Sequence, residues 1–298
     1  MSAALLGCYD SLKKHALRGN AVIPVLFLNT LFSSIIFLPF IVLSGTTDVL
    51  DGGLFHVSSG GWEVHKYILL KSLIVLSSWI LGYFGMKHLP LTIVGPINAT
   101  RPVMTLVGAL LVFGERLNHW QWIGVLLAIA SFLLLSRSGK KEGIDFKHDH
   151  WIYMIVGAAM LGAVSGLYDK FLMAPVESGG VGLDRMMVQS WYNIYQCFMM
   201  GAMLWFLWWP KHEQTTPFHW SWSIVGVSVF LSTADFLYFY SLSLPEAMIS
   251  IVSMIRRGSV IVSFMFGAMF FREKNLKAKA FDLALVLLGM VFLYIGSR

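Results

Sequence analysis

The sequence predicts an all-α integral membrane protein of ten transmembrane helices, arranged as two inverted five-helix repeats with the first helix truncated. Three observations predict it. Of 298 residues, 57% are hydrophobic and only 13% charged, about half the charge of a soluble domain. Apolar runs of helix length follow one another along the chain, at a mean hydropathy of +0.69. Short motifs of the first half recur, in order, in the second.

A helix crossing the hydrocarbon needs about 20 apolar residues. Such runs fall at 21–45, 67–86, 90–113, 119–137, 151–173, 185–209, 220–242, 245–270 and 278–296, and residues 1–17 supply the tenth. The longest connections, 46–66 and 138–150, carry the glycines and charges expected of loops. Trp120, Trp122, Trp151, Trp208, Trp209, Trp220 and Trp222 stand at span ends, where an aromatic belt belongs. Continuous runs, rather than alternating ten-residue strands, exclude a β-barrel. Lys13 and Lys14 follow the first apolar stretch instead of preceding it, unlike a signal peptide. The 22 Lys and Arg against 16 Asp and Glu give +6 but no basic patch, which excludes a nucleic-acid partner. Cys8 and Cys197 offer neither a disulfide framework nor a metal spacing, and no cofactor is expected.

The duplication is visible in polar pairs. Ala4, Gly7, Tyr9 and Asp10 recur as Ala163, Gly166, Tyr168 and Asp169. Tyr83-Phe84 with Leu89-Pro90 recurs as Tyr238-Phe239 with Leu244-Pro245, and Gly114-Glu115-Arg116 parallels Arg272-Glu273-Lys274. The halves run over 1–141 and 148–298. Five spans is an odd number, so the second half sits upside down relative to the first, an arrangement that places substrate near the midplane between repeats. Nine residues precede Asp10, whereas the helix carrying Asp169 begins eighteen residues earlier, near Trp151. At about 1.5 Å per residue, the first helix is expected to be cut short, with Met1 an internal methionine of a longer product.

Ile97-Asn98-Ala99-Thr100-Arg101-Pro102, then Val112-Phe113-Gly114-Glu115, then Trp122-Ile123-Gly124 resemble the EamA-like branch of the drug/metabolite transporter superfamily. The second half resembles it more loosely, with Arg272 before Glu273 and Asp282 near the position of Gly124. The resemblance implies a ten-helix transporter of two inverted repeats, and no particular substrate, since the family moves amino acids, drugs, sugars and other metabolites.

An ionisable group at the bilayer centre costs at least about 2.5–3.5 kcal/mol and is a functional candidate by default. Arg101 and Arg256 each lie eleven residues after a span-opening proline, Pro90 and Pro245, with Arg257 adjacent on another helix face. A guanidinium cannot shed its charge. These arginines form either a midplane site for a carboxylate or phosphate, or a clamp between helices. Asp10, Asp169 and Asp235 are the charge-pairing or proton-coupling candidates. Lys13, Lys14 and Lys170 argue for an interfacial position of the first two. Asp235 is deeper, and neutralising Arg256 is its favoured role over carrying a proton.

Asn98 and Thr100 precede Arg101, and Ser250 and Ser253 precede Arg256. Gln189, Asn193 and Gln196 share a helix face and, with Trp191, Tyr192 and Tyr195, offer a cavity wall. Asn29, Thr30, Ser33 and Ser34 occupy the counterpart helix. Hydrogen bonds gluing helices together account for any one of these residues; a cavity accounts better for the set. His148-Asp149-His150 lacks further ligands, so no metal is expected. Gly162 and Gly166 read as close packing, and Glu115 and Glu273 as solvated turn residues. The positive-inside rule prefers termini outside, while the resemblance implies termini inside.

The expected function is secondary-active transport, by an exporter or permease, of a small polar metabolite such as an amino acid or organic anion. No Walker-type phosphate loop is present. The rival is an integral membrane enzyme holding a lipid-linked phosphate on its arginines. A multi-pass protein of the cell membrane, bacterial inner membrane by expectation, and a monomer or weak dimer complete the reading.

Overall fold

A computed structural model describes residues 1–113, 117–140, 143–243, 252, 255–271, 273 and 275–296. Among them the chain is all helical, without strands. The helices are α1 (Ser2–Leu17), α2 (Val22–Thr46), α3 (Trp62–His88), α4 (Leu91–Ala99), α5 (Arg101–Phe113) and α6 (His119–Lys140). There follow α7 (His150–Met173), α8 (Arg185–Met203), α9 (Trp222–Leu242), α10 (Ser259–Met269) and α11 (Leu276–Gly296). Six of them (α2, α3, α6, α7, α9 and α11) are long and apolar enough to cross a membrane. The expected Gly114-Glu115-Arg116 turn, Lys141, Leu244-Pro245, Ser250, Ser253, Arg272, Lys274 and Arg298 lie outside the described residues.

Two expected spans are divided. The run 90–113 breaks at Thr100, whose ψ of −7° departs from helical geometry, into α4 and α5. Pro102 accounts for the break: it lacks an N–H to bond back into α4, so the ladder stops and α5 starts afresh at Arg101. Within the first turn of α5 the missing donor costs nothing. The run 185–209 is α-helical only to Met203 and then loosens into a π turn over Leu204–Trp208 and a 3-10 turn over Trp209–Gln214.

The bundle is apolar outside. Leu126, Leu133, Phe198, Phe206 and Met265 are exposed, as are Trp120, Trp122, Trp209, Trp220 and Trp222 at helix ends. In water such a surface is a liability; against lipid it is the expected solvent match. Inside, α1 packs on α9 and α10, α7 on α3 and α5, α2 on α8 and α9, α6 on α11, and α4 on α10 and α11.

Helix ends are held in two ways. Asp149 and Asp184 cap α7 and α8 locally, accepting from Trp151 N and Met187 N at 2.9 Å. The α3–α4 turn is held from a distance. Lys14 Nζ donates to Met86 O at 2.7 Å and Leu89 O at 2.6 Å. Glu273 accepts from Leu91 N at 2.6 Å, Thr92 N at 2.8 Å and the Thr92 hydroxyl. Glu273 is therefore not a solvated turn residue: its carboxylate satisfies the free amides at the start of α4, where the helix dipole favours negative charge.

α6 and α11 meet backbone to backbone. A Cβ added at Gly124 lies 2.8 Å from Gly289 O and 2.7 Å from Leu293. The backbone oxygen cannot move aside, so Gly124→Ala is expected to cost about 1–3 kcal/mol through overpacking. A lowered thermal midpoint of the detergent-solubilised protein, absent for Ala at the open Gly45, checks this.

Candidate functional site

A cavity of about 150 Å³ lies in the bundle between α1, α3, α7 and α9, bordered by the α4–α5 break and residues 256–260. Five cations (Lys13, Lys71, Arg101, Arg256 and Arg257) and three carboxylates (Asp10, Asp169 and Asp235) line it. Three pairs form. Lys13 Nζ sits 3.0 Å from Asp10, one helical turn away on α1. Lys71 of α3 pairs with Asp169 of α7, and Arg256 with Asp235 of α9. Tyr192 Oη donates to the second Asp235 oxygen at 2.8 Å, and Arg256 lies 4.1 Å from the centre of the Tyr238 ring.

Arg101 and Arg257 remain. Neither has a carboxylate at ion-pair distance among the described residues, where each pair joins other groups. Arg101 Nη2 donates to Asn98 Oδ1 at 3.0 Å, and the Nε atoms of both arginines have no partner. Gly162 makes room for Arg101. A Cβ added there would stand 2.7 Å from the guanidinium carbon. The Gly162/Gly166 pair thus supplies space at the cavity wall rather than close helix packing; nothing comes within 4 Å of a Cβ added at Gly166.

Of the residues singled out from sequence, Arg101, Arg256, Arg257, Asn98, Tyr192, Asp10, Asp169 and Asp235 line the cavity. Gln189, Asn193 and Gln196 do not. They are buried where α8 meets α2 and α9: Gln189 Nε2 donates to Ser232 O at 3.1 Å, and Asn193 O accepts from Ser34 Oγ at 2.9 Å. Ser33 meets Ser232 at 3.2 Å in the same seam. The shared face was correctly placed on α8, but it turns toward neighbouring helices. Lys13 is not at an interface; it is buried and enclosed by Asp10, Tyr9 and Tyr83. The partner of Asp169 is Lys71 rather than Lys170. Sequence reading passed over Lys71, although a lysine inside an apolar span is the same signal that marked the arginines.

Among the described residues no group of three or more metal-ligating side chains exists. His148 Nδ1 lies 2.7 Å from Asp145 in an exposed loop, and that bond, with the Lys147 amide, holds the Asp145 carboxyl below the ordinary carboxylate range.

Residues 1–137 match the EamA-like transporter family, the family that Ile97–Gly124 resemble in sequence. A solved structure described only as a crystal structure of a protein aligns over 100% of this chain and 96% of its own, at 13% identity and a TM-score of 0.67. That likeness concerns the fold alone. No curated protein matches the chain.

Removing one member of a buried ion pair strands the other and costs about 3–5 kcal/mol, while replacing both with apolar groups is often neutral. Lys71→Met and Asp169→Leu are each expected to lower the thermal midpoint strongly, and the double variant to recover most of the loss. Thermal unfolding of the four proteins in detergent closes that cycle.

Proposed function

We propose that this chain, EamA-like over residues 1–137, is a secondary-active membrane transporter of a small polar metabolite bearing an anionic group. The observation that carries the reading is the cavity lined by Arg101, Arg256 and Arg257. An anionic cargo compensates Arg101 and Arg257, which no carboxylate among the described residues pairs, and the 150 Å³ of space is of the order that accepts a small ring such as benzene.

The working cycle we assign is alternating access between two inverted repeats, residues 1–141 and 148–298, each of five membrane-crossing elements. Counting α4 and α5 as one broken span, and α10 with residues 255–258 as another, gives ten. The packing supports an exchange of roles. α1 packs on α9 as α7 packs on α3, and α2 meets α8 as α6 meets α11. A broken helix beside a midplane site, as at Asn98–Arg101, is a recurrent feature of such carriers. The location that follows is a cell membrane, with the chain working alone or as a weak dimer.

Counterflow of labelled amino acids and organic acids into proteoliposomes tests the reading. Arg101→Gln is expected to cut the active flux at least tenfold while the protein stays monodisperse. Flux unchanged in a folded Arg101→Gln protein overturns the midplane site.

A further inference from the structure

We infer that the cargo is a dianion, a compact molecule carrying two negative charges such as a short dicarboxylate or a small phosphate monoester. The inference rests on the transport reading above and deepens it.

Charge balance is the first ground. Among the described lining residues, five cations face three carboxylates, an excess of two positive charges. The excess is located: three cations have carboxylate partners, and Arg101 and Arg257 are the two that do not. Arginine cannot be neutralised by proton loss, and in a dry, partly enclosed site an uncompensated charge is expensive. A zwitterionic amino acid brings its own ammonium and leaves the excess at two. A monocarboxylate leaves it at one. A single bound molecule closes it only as a dianion.

Donor supply is the second ground. Arg257 makes no hydrogen bond within the described residues, and Arg101 spends one Nη2 contact on the Asn98 amide. A guanidinium offers five N–H donors in a fixed fork matched to carboxylate and phosphate oxygens. The buried Nε atoms of both side chains, like that of Arg256, lack acceptors, a condition that buried donors rarely tolerate. Size is the third. A cavity of about 150 Å³ takes a benzene-sized body, which fits a dicarboxylate of about four to six carbons or a two- to three-carbon phosphate ester.

The test separates binding from flux. The purified full chain is titrated with succinate, glycerol 3-phosphate, succinamate as the monoanion, alanine as the zwitterion, and chloride. Thermal stabilisation and tryptophan fluorescence are read for each, and then counterflow for those that bind. Succinate or glycerol 3-phosphate is expected to bind at least tenfold tighter than succinamate and alanine. For the phosphate ester, affinity rises between about pH 5.5 and 7.5, as its second proton (pKa near 6) leaves; succinate, ionised earlier, rises less, which distinguishes the two chemistries. Arg101→Gln and Arg257→Gln each collapse the dianion-to-monoanion ratio towards one. Arg101→Lys and Arg257→Lys retain part of it, and serve where the glutamine variants fail to fold. Alanine, succinamate or chloride binding as well as either dianion overturns the inference, as does failure of both dianions to bind. Folded glutamine variants that keep the full preference also overturn it. Dianion binding without flux of any solute upholds the charge assignment and sinks the transport reading instead.

Discussion

The structure depends on one constraint: charges carried among apolar helices must be kept from the hydrocarbon. The bundle meets it by turning all eight of the cavity's charged side chains inward, away from a lipid face made of residues such as Leu126, Leu133 and Phe198. The pairing also ties helices together. Lys71–Asp169 joins α3 to α7, which pack extensively along their length, and Arg256–Asp235 joins the segment before α10 to α9. Such pairs repay their desolvation only when geometry and further hydrogen bonds are good. Asp235, with Arg256 on one oxygen and Tyr192 on the other, meets that condition.

The backbone around the cavity serves the same end. Pro102 interrupts the span so that Arg101 leaves the chain at a break rather than in a continuous helix, and the absent side chain of Gly162 leaves its guanidinium somewhere to lie. Lys14 and Glu273 then fix the turn from which α4 starts. Each reaches it from another part of the chain: Lys14 from α1, Glu273 from between α10 and α11. Those contacts fix the start of α4, the short helix that leads to Arg101.

How far the sequence revealed this follows from the range of each signal. Six of the expected spans were legible as long apolar helices because hydropathy over 20 residues is local information. The spacing of Arg101 from Pro90 marked it as a site candidate within one apolar run, and it does line the cavity. Lys71 carried the intramembrane signal but was masked by its place near the start of its span, where snorkelling accounts equally for a lysine. Gln189, Asn193 and Gln196 do share a face; which neighbour that face meets depends on the rotation of α8, and no periodicity encodes it. The cap that Glu273 provides on Leu91 spans 182 residues of sequence and has no local signature. Pairing by contact, rather than by spacing, is where reading from sequence stops.

The excess positive charge acquires an origin if the proposed repeat is taken at its own register. Tyr83 and Tyr238, and likewise Arg101 and Arg256, stand 155 positions apart. At that offset Asp235, the partner of Arg256, corresponds to Ile80, and Arg257 corresponds to Pro102. The second half therefore carries both the carboxylate that neutralises its arginine and an additional guanidinium. The first half carries neither: its arginine faces an isoleucine position, and Pro102 breaks the helix instead. Lys71 likewise has Gly226 at its matching position and finds its carboxylate across the interface, on Asp169. A cavity built from two identical halves would balance each arginine alike. Under the proposed repeat the halves differ at the positions that decide net charge, while Arg101 and Arg256 stay in register. Differences at those positions, under the proposed repeat, alter the charge that the scaffold presents to its cargo without refolding it.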